Sequence, residues 1–311
     1  MVVQHLAVTY GSLGSWYYRD PATNMLTGSL LTLLTGIGMA VGMGFFFLIA
    51  GYFTPGPYDR KGTGSFLRDR LIRLGIPLLL YDLLIDPLVV YLANGLHGAY
   101  WSFYGNYLLH LGMIGNGPVW FIETLIFFSI FYAAWRLLSG HRPQAAATTG
   151  KLPSYLAIYG FIFGLAFVSF VVRIWWPADV VFHQLNMPVG YLPQYISFFI
   201  LGLIAYRRNW FLELTPKMGR YWLRTALIAI LVWLLVAALF VIVGMGAAGT
   251  QANYYALVVG EKSHMMGGLN WESFAYTLWE SFLIVGICTG FLVLFRQHWN
   301  RQGKVAKELA A

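Results

Sequence analysis

Charge is what this chain has least of. Only 10% of its 311 residues are Asp, Glu, Lys or Arg, against 59% apolar, where a soluble domain carries about 25% charged residues. With a mean hydropathy of +0.64, an ordinary water-soluble globule is excluded. Cysteine is nearly absent as well. Cys288 is the single thiol, so neither an intrachain disulfide nor a cysteine-based zinc cluster can be built. No basic stretch precedes the first apolar run, and a cleavable signal peptide is therefore not expected. The chain also lacks a GxSxG elbow, an HExxH pair and a suitably placed HxxxxD. The GIGMAVG string at 36–42 has neither the spacing nor the preceding strand of a dinucleotide site. No metal site is indicated.

What the chain does have is long apolar runs. They fall at about 2–17 (short), 30–53, 74–93, 118–138, 154–176, 189–206, 222–246 and 271–295. Some twenty apolar residues in a helix cross a hydrocarbon core about 30 Å thick. Backbone amides in lipid must find partners within their own segment, so the runs are predicted as helices. The expected fold is all-α: a polytopic membrane bundle of about eight helices, with residues 1–311 forming one integral-membrane unit. Gly38 and Gly42 form a small-xxx-small pair, which predicts close helix packing there.

Charge placement orients this map. Alternating loops put seventeen of the twenty Lys and Arg on one side, in 54–73, 136–151, 207–224 and the tail; Arg19, Arg173 and Lys262 fall on the other. Such a bias marks the cytoplasmic side, so both termini are expected in the cytoplasm. The net charge of +8 follows from this bias and from anionic lipid, with no nucleic acid required. The outer segment 94–117 has no Lys or Arg but is rich in aromatics, Tyr100, Trp101, Phe103, Tyr104 and Tyr107 among them. It suits headgroup depth, or a cover over a cavity.

Ionisable groups within the bilayer are costly, and each is a functional candidate. Here they are His5, Asp82, Asp86, Glu123, Glu272, Glu280 and Arg173. An imidazole at the depth of His5 could take a proton from a hydroxyl, or could simply pair with a neighbour for packing. Asp82 and Asp86 could serve chemistry or balance a buried cation. Asp86 also precedes Pro87, where a freed carbonyl and a kink are expected. On the final helix, Glu280 lies deeper than Glu272 and is the better candidate. Glu123 and Trp120 sit at the outer end of their helix. The basic loop 54–73 carries Arg60, Lys61, Arg68, Arg70 and Arg73 between two spans. Arginine forks fit phosphate oxygens, and a helix beginning at Arg68–Arg73 would add its N-terminal dipole. The same cluster could equally fix topology by touching lipid phosphates.

Several blocks carry a family resemblance: VVQHLAVTYG around His5, FFFLIAGYFTP at 45–55, FLRDRLIRLGIP at 66–77, GPVWFIETL at 117–125 and LWESFLIVG at 278–286. The chain resembles the membrane-bound acyltransferase-3 family, whose members O-acylate sugars, glycans and antibiotics. Within it the nearest likeness is to the glucan-modifying succinyltransferases. The resemblance implies that His5 matches the family's first-helix histidine, and that Arg70 and Arg73 match its paired arginines. It also implies an arginine upstream of His5, which would fall before Met1, and further helices after Ala311. A chain truncated at both ends is the expectation.

Together these readings predict an O-acyltransferase of the cell's inner membrane. It would move an acyl group from cytoplasmic acyl-CoA to a hydroxyl of a carbohydrate or glycan. No bound cofactor is expected, and acyl-CoA enters as the donor substrate. Arg68, Arg70 and Arg73 would hold the CoA phosphates. His5 would act as base, with Glu280 or Asp82 orienting it, and Glu123 and Trp120 would lie on the acceptor side. Two alternatives use the same residues: a transporter of an acidic or lipid-linked sugar substrate, and a catalytically inactive remnant. Acceptor-dependent release of CoA separates the enzyme from the transporter, and the flanking genomic sequence separates a fragment from a remnant.

Overall fold

A computed structural model describes residues 2–12, 18, 20, 25–109, 117–140, 150–182, 187–248 and 264–299. The tail 300–311 and most of the 139–153 connector lie outside the described residues, as do Arg19 and Lys262. The described residues are helical almost throughout. Its only paired strands among the described residues are two-residue pieces, β1 (Val181–Phe182) and β2 (Met187–Pro188), which form an antiparallel ribbon.

The helices are α1 (Val2–Thr9), α2 (Met25–Tyr52), α3 (Pro55–Arg70), α4 (Ile76–Leu80), α5 (Asp86–Ala93), α6 (Tyr100–Leu109), α7 (Trp120–Leu138), α8 (Tyr155–Trp175), α9 (Leu192–Arg207), α10 (Trp210–Glu213), α11 (Pro216–Ala248) and α12 (Trp271–His298). Among the described residues, seven stretches are long and apolar enough to cross a membrane, so the all-α membrane bundle expected from composition is the fold observed. Of the eight expected runs, the first is described only over 2–12, where eight residues form α1, and eight residues are too few to span at about 1.5 Å per residue.

Side chains on the outside of the bundle, such as Leu71, Ile76, Leu79, Leu84, Phe131, Leu156 and Leu231, are large, apolar and exposed. Lipid, rather than water, is the solvent they suit. Burial also ranks the helices. Within its apolar window, α12 is 56% buried, against 17% for the Pro55–Ala93 stretch, so α12 is central and that stretch peripheral. α12 packs most extensively on α11, then on α8 and α2, while α2 lies along α9. Leu283, Ile284, Cys288 and Trp222 form the heart of the core.

The polar loop expected at 54–73 is instead helical. α3 runs from Pro55, a residue suited to a helix start, to Arg70. It then passes through a wide π-helical turn (Leu71–Gly75), α4, a second π-helical turn (Tyr81–Ile85) and α5. One break interrupts it, at Gly62, with φ 72° and ψ 171°. That backbone region is essentially open to glycine alone. Arg68, Arg70 and Arg73 therefore sit within a helical rod and not at its first turn. The expected dipole contribution at those arginines is withdrawn, since it is confined to the terminal turn.

The kink expected near Pro87 has a structural answer. Proline donates no backbone hydrogen bond, which releases the carbonyl four residues earlier. That carbonyl belongs to Leu83, and the Tyr104 hydroxyl of α6 donates to it at 3.1 Å. The outer aromatic segment thus docks onto the rod as well as suiting headgroup depth.

Close helix packing also differs in place from the Gly38/Gly42 expectation. Gly38 does meet a neighbour, the Gln4 side chain of α1, but Gly42 has open space around it. The tight approach lies between Gly51 of α2 and Gly202 of α9. A methyl on Gly202 would stand 2.2 Å from the Leu48 carbonyl oxygen, and one on Gly51 would stand 2.1 Å from that of Phe199.

Candidate functional site

Three polar regions interrupt the apolar bundle. The first lies at the end that charge placement assigns to the cytoplasm, where α2 gives way to α3. Thr54 is buried here, its hydroxyl donating to the Ala50 carbonyl at 2.6 Å. Arg70 reaches the same hydroxyl at 3.5 Å and lies over the Phe66 ring, 5.4 Å from its centre. Arg68 and Arg73 are exposed. Asp69, set among these arginines, is engaged by Lys61. Arg68, Arg70 and Arg73 thereby remain one basic surface on the rod.

Close by, Asp59 ties three elements together. Arg207 at the end of α9 grips its carboxylate with both terminal nitrogens, at 2.5 and 3.0 Å, and Arg136 from the last turn of α7 joins at 3.2 Å. Tyr132 completes the network, accepting from Arg207 at 3.3 Å. Sequence reading counted Arg136 and Arg207 only as topology-setting cations. Their fixed pairing with Asp59 also pins the start of α3 to the ends of α7 and α9.

The second region is acidic and lies in the outer half of the rod. Asp86 is buried and receives the Tyr107 hydroxyl from α6. Asp82, one turn earlier, is close enough to feel the Asp86 charge, and it acts in turn on Glu123 in the first turn of α7. One Asp82 oxygen is buried without a hydrogen-bonding partner among the described residues. The structure thus brings together Asp82 and Glu123, which the sequence reading had assigned to different roles. Trp120, one turn before Glu123, faces inward and packs near Tyr195 of α9, with ring centres 5.6 Å apart.

The third region is a buried ion pair that sequence reading did not form. Arg173 in the last turn of α8 and Glu280 of α12 were noted singly; their Nη1 and Oε2 atoms lie 2.7 Å apart and both side chains are buried. Arg173 Nε also donates to the Gly190 carbonyl at 3.1 Å, and its guanidinium lies 4.5 Å from the centre of the Tyr191 ring. The available signal was their opposite sign: Arg173 was the one cation among the candidate intramembrane ionisable residues. Their separation in sequence hid the partnership.

His5 sits elsewhere. α1 packs on the face of α2 that presents Thr35 and Gly38, as shown by Gln4 against Gly38 and by Ser12 bonded to Thr35 at 2.8 Å. The face that meets α9 and α12 is a different one, with Ile37, Ala40, Val41 and Gly44. Glu280 is committed to Arg173 behind that second face. The structure therefore does not bring Glu280 and His5 to the same side of α2, and Asp82 belongs to a third location on the rod. His5 itself is half-buried, and Thr9 of the next turn donates to its carbonyl at 2.9 Å. Among the described residues, no group of three or more His, Cys, Asp and Glu side chains could hold a metal ion.

A family model described as an acyltransferase domain, that of the acyltransferase-3 family, matches residues 1–309. No curated protein and no solved structure matches the chain.

Proposed function

Because the chain belongs to the acyltransferase-3 family and is an acyltransferase embedded in a membrane, we propose that it takes its acyl group from cytoplasmic acyl-CoA. The acceptor in this reading is a hydroxyl of a carbohydrate or glycan, and the membrane is the cell's inner membrane. The observation that carries the donor assignment is the basic surface of the rod. Arg70 is held in place by Thr54 and Phe66, while Arg68 and Arg73 are exposed beside it. Fixed and exposed guanidinium forks at a membrane surface suit the phosphates of CoA.

In this reading the pantetheine arm of the donor threads from those arginines toward mid-membrane. His5 removes the proton from the acceptor hydroxyl, and the oxygen attacks the thioester carbonyl. The new C–O bond forms, the tetrahedral oxyanion collapses, and the C–S bond breaks. The departing CoA thiolate takes the proton back from the imidazolium. An acyl-histidine intermediate would divide the same chemistry into two steps. Since Glu280 is paired to Arg173 and Asp82 lies apart on the rod, the role of orienting His5 passes from these two carboxylates to a group within α1. Glu123 and Trp120 lie toward the outer end of α7 and serve the acceptor side.

The test is CoA release from labelled acyl-CoA by membranes containing the protein, with and without a glycan acceptor. Acceptor-dependent release is expected, and His5→Ala abolishes it. Normal turnover by His5→Ala removes that residue from the mechanism. Movement of substrate across the membrane with no CoA release would establish the transporter instead.

A further inference from the structure

The Arg173–Glu280 region contains more polar capacity than the protein itself uses. The Tyr195 hydroxyl, on a side chain that is 0% exposed, has no hydrogen-bonding partner among the described residues. The same holds for Gln194 Oε1 and Glu280 Oε1, both on buried side chains. A polar atom left unpaired within a membrane bundle is costly, and buried polar groups of native proteins are nearly always satisfied by something. Tyr195 is close enough to feel the charges of Arg173 and Glu280, and Gln194 reaches α2 at Ala40 and Gly44, where Ile284, one turn from Glu280, also packs; hydrogen-bonding capacity thus gathers around the ion pair.

The surroundings say what would fill it. Glu280 Oε1 and Gln194 Oε1 are acceptors, and Tyr195 can donate or accept. The guanidinium of Arg173 already has its counter-ion in Glu280, so a charged ligand would leave one charge unbalanced. A neutral molecule with several hydroxyl groups matches instead. Aromatic rings extend the site sideways. Tyr191 stacks on Tyr195 with ring centres 6.0 Å apart, and Trp120 lies on the α7 side of Tyr195. The site is thus continuous with the outer end of α7, where the acceptor side has been placed. Toward the outer end of α8 it is closed by a strap, residues 264–270. Met266 accepts a backbone bond from Ala178 at 2.7 Å, and Gly268 donates to the Arg173 carbonyl at 3.0 Å. Two backbone bonds hold that cover, and displacing it would open the cluster from that end.

We propose that Tyr195, Gln194 and the Arg173–Glu280 pair bind hydroxyl groups of the polyol acceptor in the outer half of the bundle, beside Trp120. This rests on the acyl-transfer reading and adds where the acceptor is held and by which groups. The reacting hydroxyl is a separate one, since His5 lies against another face of α2.

Tyr195→Phe is the informative variant because it removes an atom with no partner among the described residues. Were the hydroxyl merely structural, its loss would leave the melting temperature unchanged or raised, with acceptor KM unaffected. The assay titrates envelope glycan extracted from cells lacking the gene, with acetyl-CoA and succinyl-CoA as donors. For Tyr195→Phe an acceptor KM raised by about fivefold is expected, well beyond any change in the KM for acyl-CoA, while the melting temperature stays at or above that of the wild type. An acceptor KM equal to wild type overturns the site while leaving the acyl-transfer reading intact. A wild-type protein showing no acceptor-dependent CoA release overturns both.

Discussion

At the scale of the single residue, the informative groups are those whose charge is already answered. Arg173 and Glu280 form a buried pair, and such pairs contribute little over an apolar substitute yet are expensive to break. Removing Arg173 alone leaves Glu280 uncompensated, and the expected loss in Arg173→Ala is about 3–5 kcal/mol. A melting curve in detergent checks this; an unchanged midpoint would mean that the pair is solvated or dispensable. Arg73 is the opposite case, an exposed guanidinium. Arg73→Ala is expected to weaken acyl-CoA binding about tenfold by the loss of a charge-assisted hydrogen bond while the melting midpoint holds. Undiminished affinity would return the cluster to topology alone. Both arginines border an apolar run, Arg73 at the end of a basic cluster and Arg173 alone. What separates them is whether a carboxylate from a distant helix arrives, and no local pattern records that.

At the scale of the element, the rod from Pro55 to Ala93 departs most from its sequence pattern. Its polar first half has a mean hydropathy that suggests a loop, yet it is helical because Asp59 anchors it to α7 and α9 while Phe66 and Tyr58 bury against Tyr132 and Ala133. Gly62 gives the rod its one break, and open space surrounds the position of its missing side chain. Gly62→Ala therefore probes backbone conformation without a clash. A cost of about 1–3 kcal/mol is expected for forcing that φ and ψ on another residue, visible as a lower melting midpoint; equal stability would show that the break can relax into helix. Gly202 tests the other kind of glycine. A β-carbon there collides with the backbone of α2, which cannot yield as a flexible side chain can. Gly202→Val should force α2 and α9 apart and abolish the monodisperse peak in detergent chromatography. A normal elution profile would contradict the packing.

At the scale of the whole molecule, orientation rests on the Lys and Arg bias, and the rod offers a direct check. Cys288 is the only cysteine and is buried in the core, so it provides little background for thiol labelling. Ser65 on the basic half of the rod and Ser102 on α6 are both exposed. Ser65→Cys should react with an impermeant maleimide only from the cytoplasmic side and Ser102→Cys only from the outer side. The reverse pattern would invert the topology and move the donor surface to the wrong face.

The sequence by itself determined that this is a helical membrane protein, where its apolar runs lie and which face carries the cations. All of these follow from one-dimensional sums over neighbouring residues: run length against bilayer thickness, and charge counted loop by loop. The family blocks around His5 and at 66–77 belong to the same level, since they are local strings. Only the tertiary structure decided who partners whom. It joined Arg173 to Glu280 and Asp59 to Arg136 and Arg207, set Asp82 beside Glu123, and put α1 on a different face of α2 from Glu280. Each depends on how helices far apart in the chain rotate and approach. That rotation is governed by shape, by glycines such as Gly51 and Gly202 that let backbones meet, and by the need to pair every buried polar group.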